Sequence, residues 1–578
     1  MKRNKFIYVT MAAASLLAAS CTDFSDFNEA YQDGQPGSDK TLWENISERP
    51  ELSDFASLLT KVGFDKELSK SRFYTVWAPQ NGTFDFATFD QQDSATLVDR
   101  FVKNNVADYN YVVSSPATQR LAMLNEKVYT LQNETGITFA GNDIIGSNIP
   151  SSNGTLYITQ GAAEYLPSIY QYIFDQRDAK VDTAVADYLG KYENNYFDEA
   201  NSVVGPIDTL GQQTYIDSVF VLSNAMTNQL RAYIDNEDSV YTMLMPTDHA
   251  YKAAYDKILS YYKYPKKMNY LDFDVSTATT RSKEAGSDFD EELGDSITSL
   301  TIASSLFYSH GNYYNYWLDE VGKLADHDPE RLDSLESTSL GNISNGEEMI
   351  SHTMGDIVTA SNGYIRRVDT LAYRSWDLWC PEINVPIFDD NYRPARSTIS
   401  SQTVQLNNNN FNYEVGDYIP QYLYVTDVTG YISPTVYFYI PNVRSAAYNV
   451  YVVLAPSNIQ VGSTAEAKIC SFNAKIGYMQ TDGGTVAEGT EGFNVSVTTD
   501  SASLTKIDTM FVGTVTFPYA YAGIEGPDTD IPECMPYMAI ASNYSQWMWP
   551  NNTWASDLRI AGIILRPVEY DEYLKNEE

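Results

Sequence analysis

The chain has 578 residues, 43% of them hydrophobic, which is too long for one ordinary domain and holds enough apolar material for two to four packed cores. Its 76 acidic residues against 38 basic ones leave a formal charge of −38, so nucleic acid and anionic membrane surfaces are poor electrostatic partners. The 45 Tyr residues offer apolar area with a polar tip, which suits β-rich surfaces that touch ligands or other proteins.

The first residues read as a targeting segment. Lys2, Arg3 and Lys5 form a positive region, and Phe6 to Leu17 an apolar stretch too short to span a bilayer stably. It ends in Leu17-Ala-Ala-Ser-Cys21, which resembles the lipobox of bacterial lipoproteins, with the usual Leu one position early. The resemblance implies a signal peptide over 1–20, lipid attachment at Cys21 and a membrane anchor through that lipid; a plain secretory cleavage site is the alternative. Loss of the signal takes the formal charge to about −41. Residues 21–40 form an acidic tether, and acidic residues behind a lipidated Cys resemble the surface-export signal of Bacteroidota lipoproteins. A solvated linker is the plain alternative.

Leu42–Ile46 and Phe55–Val62 have the apolar spacing of helices. Phe73-Tyr-Thr-Val-Trp-Ala-Pro-Gln-Asn-Gly-Thr-Phe84 reads as a buried strand halted at Pro79, which cannot donate to a ladder. A helix over Leu97–Val106 and strands over Val128–Leu131 and Ile137–Phe139 follow. Ser151-Ser-Asn-Gly-Thr-Leu-Tyr-Ile-Thr159 then reads as an Asn-Gly turn and a half-buried strand with Leu156 and Ile158 inward.

The chain repeats itself. Val185–Tyr192 and Ser223–Asp235 supply helices, and Tyr241-Thr-Met-Leu-Met-Pro-Thr-Asp-His-Ala-Tyr251 is a second strand halted at a proline. Thr247 or Asp248 can cap the next helix, which turns Tyr251, Ala254 and Tyr255 inward. The acidic, Ser/Thr-rich run from Asp272 to Asp295 buries little and reads as a loop. Ala360-Ser-Asn-Gly-Tyr-Ile-Arg-Arg-Val-Asp-Thr370 repeats the turn and strand, with Asn362-Gly as its turn. The two paired segments, in order, resemble the signature segments of fasciclin domains, which implies two tandem fasciclin-like domains over 41–167 and 168–375. Family members carry a Tyr-His pair linked to adhesion; Asn104-Asn105 falls there in the first copy and Phe307-Tyr-Ser-His310 in the second, so that role does not carry over. The family position matching Arg367 is normally apolar, so the strand is bulged or Arg367 has a carboxylate partner.

Ser375–Glu382 reads as a junction punctuated by Pro381. From 384 to 578 short alternating strands follow one another, including Thr435–Val453, Ala467–Ser471, Phe493–Val497, Met510–Phe517 and, last, Leu558–Val568. This density implies an all-β sandwich. The hairpin Tyr439-Ile-Pro-Asn-Val-Arg-Ser-Ala-Ala-Tyr-Asn-Val-Tyr-Val452 and the closing Arg559-Ile-Ala-Gly-Ile-Ile-Leu-Arg-Pro-Val568 resemble galactose-binding-like jelly rolls. The fold class expected is α+β.

Chemistry is sparse. His249, His310, His327 and His352 have no metal spacing, and no nucleophile elbow, phosphate loop or dinucleotide fingerprint occurs. No catalytic residue, metal or cofactor is expected. Cys380, Cys470 and Cys534 suggest neither a disulfide framework nor a metal site, although one disulfide among them remains open. Tyr544-Ser-Gln-Trp-Met-Trp-Pro-Asn-Asn-Thr-Trp554 sets aromatic faces beside amides, so Tyr544, Trp547, Trp549 and Trp554 are candidate ligand-binding residues for a glycan. Packing at the sandwich edge, or contact with a protein, is the alternative.

The reading is a surface-exposed, lipid-anchored outer-membrane binding protein for a protein, peptide or glycan ligand. Its resemblance to fasciclin-domain lipoproteins of Bacteroidota implies an accessory role in a SusC/SusD-like TonB-dependent uptake complex. A free-standing adhesin for host or matrix ligands is the alternative, and a glycan-processing enzyme comes third.

Overall fold

In the computed structural model of the protein the described residues are 39–113, 118–133, 136–207, 211–264, 267–272, 279–284, 291–311, 315, 334–393, 399–427, 434–478, 493–499, 504–522, 536–545 and 553–577. Two compact units divide the chain, Met1–Ser168 with Asn236–Asp238, and Ile169–Asp235 with Ser239–Glu578. The signal peptide, the tether and Cys21 lie outside the described residues.

The first unit opens with the helix Leu42–Ser47. Thr41 Oγ1 accepts the Glu44 amide at 3.3 Å while the Glu44 carboxylate accepts the Thr41 amide at 2.8 Å, a reciprocal cap. The helix Ser53–Val62 buries Phe55, Leu58 and Leu59 and stops at Gly63, whose φ of +76° suits glycine. The expected middle helix is present as a run of changing pitch, α over Ser94–Leu97, π over Val98–Val102 and 3-10 over Lys103–Asn105.

Strands β1 (Tyr74–Pro79), β2 (Val106–Asp108), β3 (Thr118–Ala122), β4 (Val128–Asn133), β5 (Ile137–Phe139), β6 (Asn142–Ser151) and β7 (Gly154–Thr159) form one seven-stranded sheet in the order β2-β1-β7-β6-β5-β4-β3. Within it the neighbours β1 and β7 are parallel, from Tyr74 opposite Gly154 to Pro79 opposite Thr159. Both are buried on both faces, where half-burial of the second was expected. Val76 and Leu156 face the helices; Trp77 and Tyr157 face a second core. There Trp77 lies flat on Phe139 at 4.3 Å and on Tyr157 at 5.8 Å. Tyrosine therefore behaves here as core, because its hydroxyl finds the Tyr111 carbonyl at 2.9 Å.

The second unit begins with the helices Ile169–Asp178 and Ala184–Gly190. An unexpected ribbon follows, β8 (Glu193–Ile207) paired with β9 (Gln213–Asn224). Helix Ala225–Gln229 leads to β10 (Tyr241–Pro246) and the helix Asp248–Leu259, capped by Thr247 Oγ1 on the Ala250 amide at 3.2 Å. The acidic run from Asp272 to Asp295, expected to be a loop, holds β12 (Thr279–Glu284), which pairs with the preceding β11 (Lys267–Asp272), and the start of the helix Glu291–Ala303. Then come β13 (Phe307–Ser309), the pair β14 (Leu335–Glu336) and β15 (Asn342–Ile343), the helix Gly346–Ser351, β16 (Val358–Ala360) and β17 (Gly363–Val368). The sheet order is β13-β10-β17-β16.

This sheet repeats the centre of the first residue for residue. β10 and β17 are parallel, from Tyr241 opposite Gly363 to Pro246 opposite Val368. In both copies a tyrosine faces the glycine and a proline ends the ladder. The same register corrects the Tyr-His comparison: Val76 opposes Val106 and Met243 opposes Phe307, so Asn105 corresponds to Leu306 and His310 to Tyr109. The ladder of β17 is unbroken, and Arg367 donates through Nε to Asp182 Oδ2 at 2.8 Å, so the carboxylate partner and not a bulge accounts for the charge.

The Asn-Gly pairs are more than turns. Asn153 Oδ1 accepts the Leu42 amide at 2.8 Å and its Nδ2 donates to the Leu68 and Lys70 carbonyls at 2.8 and 2.7 Å. Asn362 repeats this, accepting from the Ile169 amide at 2.9 Å and donating to the Ile234 carbonyl at 2.7 Å. Each asparagine is a buried hub that ties the first helix of its copy to the central strands. Each glycine lets a tyrosine carbonyl approach where a side chain would stand.

Helix Ser375–Leu378 and β18 (Ile383–Asn384) lead into a sandwich. Its strands are β19 (Ile399–Gln405), β20 (Gln421–Asp427), β21 (Thr435–Tyr439), β22 (Ala447–Leu454), β23 (Ser471–Gly477), β24 (Phe493–Thr498), β25 (Asp508–Thr516), β26 (Tyr537–Ser542) and β27 (Leu558–Pro567). One antiparallel sheet runs β19-β20-β27-β22-β25 with β18 also on β27; the other runs β21-β26-β23-β24. Val450, Val452 and Ile563 from the first meet Phe438, Phe472 and Ile540 from the second. A helix, Val568–Glu577, follows the strand expected to be last. The core that holds these residues continues into Met243, Phe307 and Ile365, so the sheet β13-β10-β17-β16 and the sandwich share one hydrophobic interior.

Candidate functional site

The junction expected at Ser375–Glu382 is a packed seam. Trp379 is buried, edge-on to Tyr261 at 6.0 Å, with the Lys257 ammonium 5.5 Å from its ring centre. Its carbonyl accepts Arg444 Nε at 2.6 Å. Backbone bonds cross the seam from Ser445 to the Tyr261 carbonyl at 2.9 Å and from Ala520 to the Lys263 carbonyl at 2.7 Å. The C-terminal helix closes it from outside: Glu569 accepts from Tyr261 OH at 2.9 Å and from Ser375 Oγ at 2.7 Å, and Trp376 stacks on Tyr570 at 5.3 Å.

These contacts shape an open cleft of about 540 Å³. One wall is the helix Asp248–Leu259, whose Ala250, Ala253 and Ala254 leave room; the other is the segment from Asp369 to Trp376. Arg374 is held by Ser344 Oγ at 3.1 Å and Tyr573 OH at 3.2 Å, with its guanidinium 4.5 Å from the Tyr573 ring centre. Asp369 faces His352 Nδ1 at 3.1 Å, and Glu348 accepts from Asn345 at 2.8 Å. His249 stands exposed at the rim. Burial, reinforced by the hydrogen bond to Glu569, pushes the Tyr261 phenol far above its ordinary value, so it stays a donor. The cleft thus offers fixed donors, acceptors and ring faces for a polar ligand, which is a recognition chemistry.

Other candidate groups serve structure. His310 Nε2 lies 2.7 Å from Thr242 Oγ1, and its ring stacks on Tyr364 at 5.7 Å. Burial pushes the Cys380 thiol up to about 11 and the Cys470 thiol up to about 12, which keeps both protonated. Both are free thiols; Cys534 and His327 lie outside the described residues. Among the described residues no three His, Cys, Asp or Glu groups converge on a metal-sized site.

The aromatic cluster is only partly placed. Trp547 and Trp549 lie outside the described residues. Tyr544 is half-buried, with its amide on Ser542 Oγ at 3.2 Å. Trp554 is half-buried too and pairs with Ile469 in a short parallel bridge, at the sandwich edge. The seam cleft was not anticipated, because its two walls lie about 120 residues apart in sequence and Glu569 comes from about 200 residues further on. The cluster of Trp376 and Trp379 at the junction is the one local signal that could have pointed to it.

No curated protein matches this chain. Among solved structures, a FAS1 domain pair from the insect cell adhesion molecule fasciclin I is similar over 58% of this chain and 99% of its own, at 10% identity and a TM-score of 0.19. A xanthan lyase from Paenibacillus is similar over 36% of this chain and 16% of its own, at 10% identity and a TM-score of 0.20. Carbohydrate-binding modules of the β-sandwich superfamily are similar over 36% of this chain and 70% of their own, at 14% identity and a TM-score of 0.14. Scores this low carry no function across. Residues 50–160 match the family model of the fasciclin domain, and the first unit of this chain therefore carries a fasciclin domain.

Proposed function

We propose that this chain is an outer-membrane lipoprotein, anchored through Cys21 and facing outward, that binds a protein or glycan ligand without catalysing a reaction on it. Its place is that of an accessory subunit in a SusC/SusD-like TonB-dependent uptake complex. The observation that carries the binding role is the fasciclin domain of residues 50–160, echoed in register by β10 and β17 in the second unit. The seam cleft supports it, because its polar groups are tied into a rigid frame that suits recognition.

The test is capture of the tagged full chain from detergent-solubilised outer membrane of the producing cell. A barrel transporter recovered at stoichiometric yield is the expected result. Recovery of the chain alone sinks the complex and leaves the adhesin. Cys21→Ala is expected to move the protein from the membrane to the soluble fraction; unchanged membrane association would remove the lipid anchor.

A further inference from the structure

The loop between β19 and β20, Leu406-Asn-Asn-Asn-Asn-Phe-Asn-Tyr-Glu-Val-Gly-Asp-Tyr-Ile-Pro420, presents two tyrosines to solvent. Tyr413 is 57% exposed and Tyr418 40%, while Phe411 between them is 1% exposed and pins the loop to Leu406, Val415, Tyr422 and Ile459. Both tyrosine rings stand nearly upright on Phe411, at 5.0 Å and 78° for Tyr413 and 5.2 Å and 77° for Tyr418. Both hydroxyls are tethered, Tyr418 OH to the Leu406 carbonyl at 3.0 Å and Tyr413 OH to Asn408 Oδ1 at 3.3 Å. Two exposed aromatic rings are thus held in place rather than left to swing, and a ligand that stacks on them loses little in ordering them.

The asparagines are arranged as well. Asn407 Oδ1 accepts the Asn409 and Asn410 amides at 2.9 and 3.2 Å, and Asn410 Oδ1 accepts the Asn407 amide at 2.7 Å. This network occupies the carbonyl oxygens and leaves the Nδ2 groups of Asn407 and Asn410 without a partner among the described residues. Glu414 and Asp417 are the loop's charged residues, and it holds no Lys, Arg or His.

We propose that Tyr413 and Tyr418, with the amides of Asn407 and Asn410, form a binding platform for a neutral, pyranose-containing glycan. The CH-rich face of a pyranose stacks on a tyrosine ring, and its hydroxyls accept from the Nδ2 groups. The two carboxylates and the acidic chain disfavour uronate or sulfated sugars. Val461, whose amide bonds the Asn410 carbonyl at 2.8 Å, is an exposed apolar side chain beside amides and acids, and it gives a protein partner little apolar area to bury. The proposal rests on the reading of this chain as a binder of protein or glycan, and assigns the glycan to this loop.

The experiment is affinity electrophoresis of the purified full chain in gels holding starch, xyloglucan, galactomannan or mixed-linkage β-glucan, with polygalacturonate as the acidic control. At least one neutral polysaccharide is expected to retard the wild type and polygalacturonate is not. Tyr413→Ala and Tyr418→Ala are each expected to weaken binding by about tenfold, the loss of one stacked ring, with unchanged melting temperature. No retardation in any neutral gel overturns the platform, and so does retardation that both variants leave intact, which would put a glycan elsewhere and spare the binding role. Loss of transporter capture in the two variants, with no glycan bound, would make the loop a protein-docking site and also overturn the proposal.

Discussion

At the scale of single residues the two glycines at the starts of β7 and β17 are the least replaceable. A Cβ built on Gly154 falls 1.8 Å from the Tyr74 carbonyl oxygen, and one on Gly363 falls 1.8 Å from that of Tyr241. Both have φ values that L-residues rarely adopt, +147° and +144°. Gly363→Ala is expected to destabilise the second unit by at least about 4 kcal/mol, since clash and backbone strain add. Urea unfolding monitored by Trp fluorescence checks this; a loss below 1 kcal/mol would mean that the strands part easily. A different residue sets the acid limit. Asp571 is buried and accepts from Asn449 at 2.7 Å, Tyr451 OH at 2.8 Å, Lys575 at 2.9 Å and Arg566 at 3.0 Å. Burial raises its pKa, but these four donors together outweigh it and hold the carboxyl at about 2. Because the folded value lies below the unfolded one, this stabilisation is present above about pH 4 and fades as pH falls towards 2. Asp571→Asn is expected to lower the melting temperature at pH 7 and to flatten its dependence between pH 4 and pH 2, as thermal melts across that window would read.

At the scale of elements, legibility followed local pattern. The strands ending at Pro79 and Pro246 and the helix capped by Thr247 could be read because proline and a capping hydroxyl act within a few residues. The ribbon of β8 and β9 could not. It exposes Tyr196, Phe197, Ile207, Val221 and Leu222, so these five apolar residues show no inward-outward alternation to mark a strand. Its base is anchored by Glu193, which accepts from Tyr170 OH at 2.6 Å, and by Asn224, which donates to the Leu189 carbonyl at 2.9 Å. None of the five exposed side chains belongs to the core of the second unit. Replacing Tyr196 to Val221 by Gly-Gly joins the paired neighbours Asn195 and Leu222 and is expected to shift the melting temperature by no more than about 3 °C. A larger fall in calorimetry would show that the ribbon stabilises the fold.

At the scale of the whole molecule the repeated sheet β13-β10-β17-β16 and the sandwich behave as one body, because one core and the contacts around Trp379 join them. They are expected to unfold in a single calorimetric transition. Trp379→Ala removes about 3–5 kcal/mol from the seam and is expected to split that transition in two, apart from any transition of the first unit; a wild type in which the sandwich already melts apart from the rest of the second unit would refute the shared core. The sequence by itself determined the duplication, the central strands and the β-rich last third, since turn residues, prolines and period-two alternation are local signals. Only the tertiary structure decided that Asn153 and Asn362 are buried hubs, that Arg367 meets Asp182 and that the junction is a seam with a cleft beside it. Each of those depends on which distant groups meet in space, and a polar residue's role is set by the partner that folding brings to it.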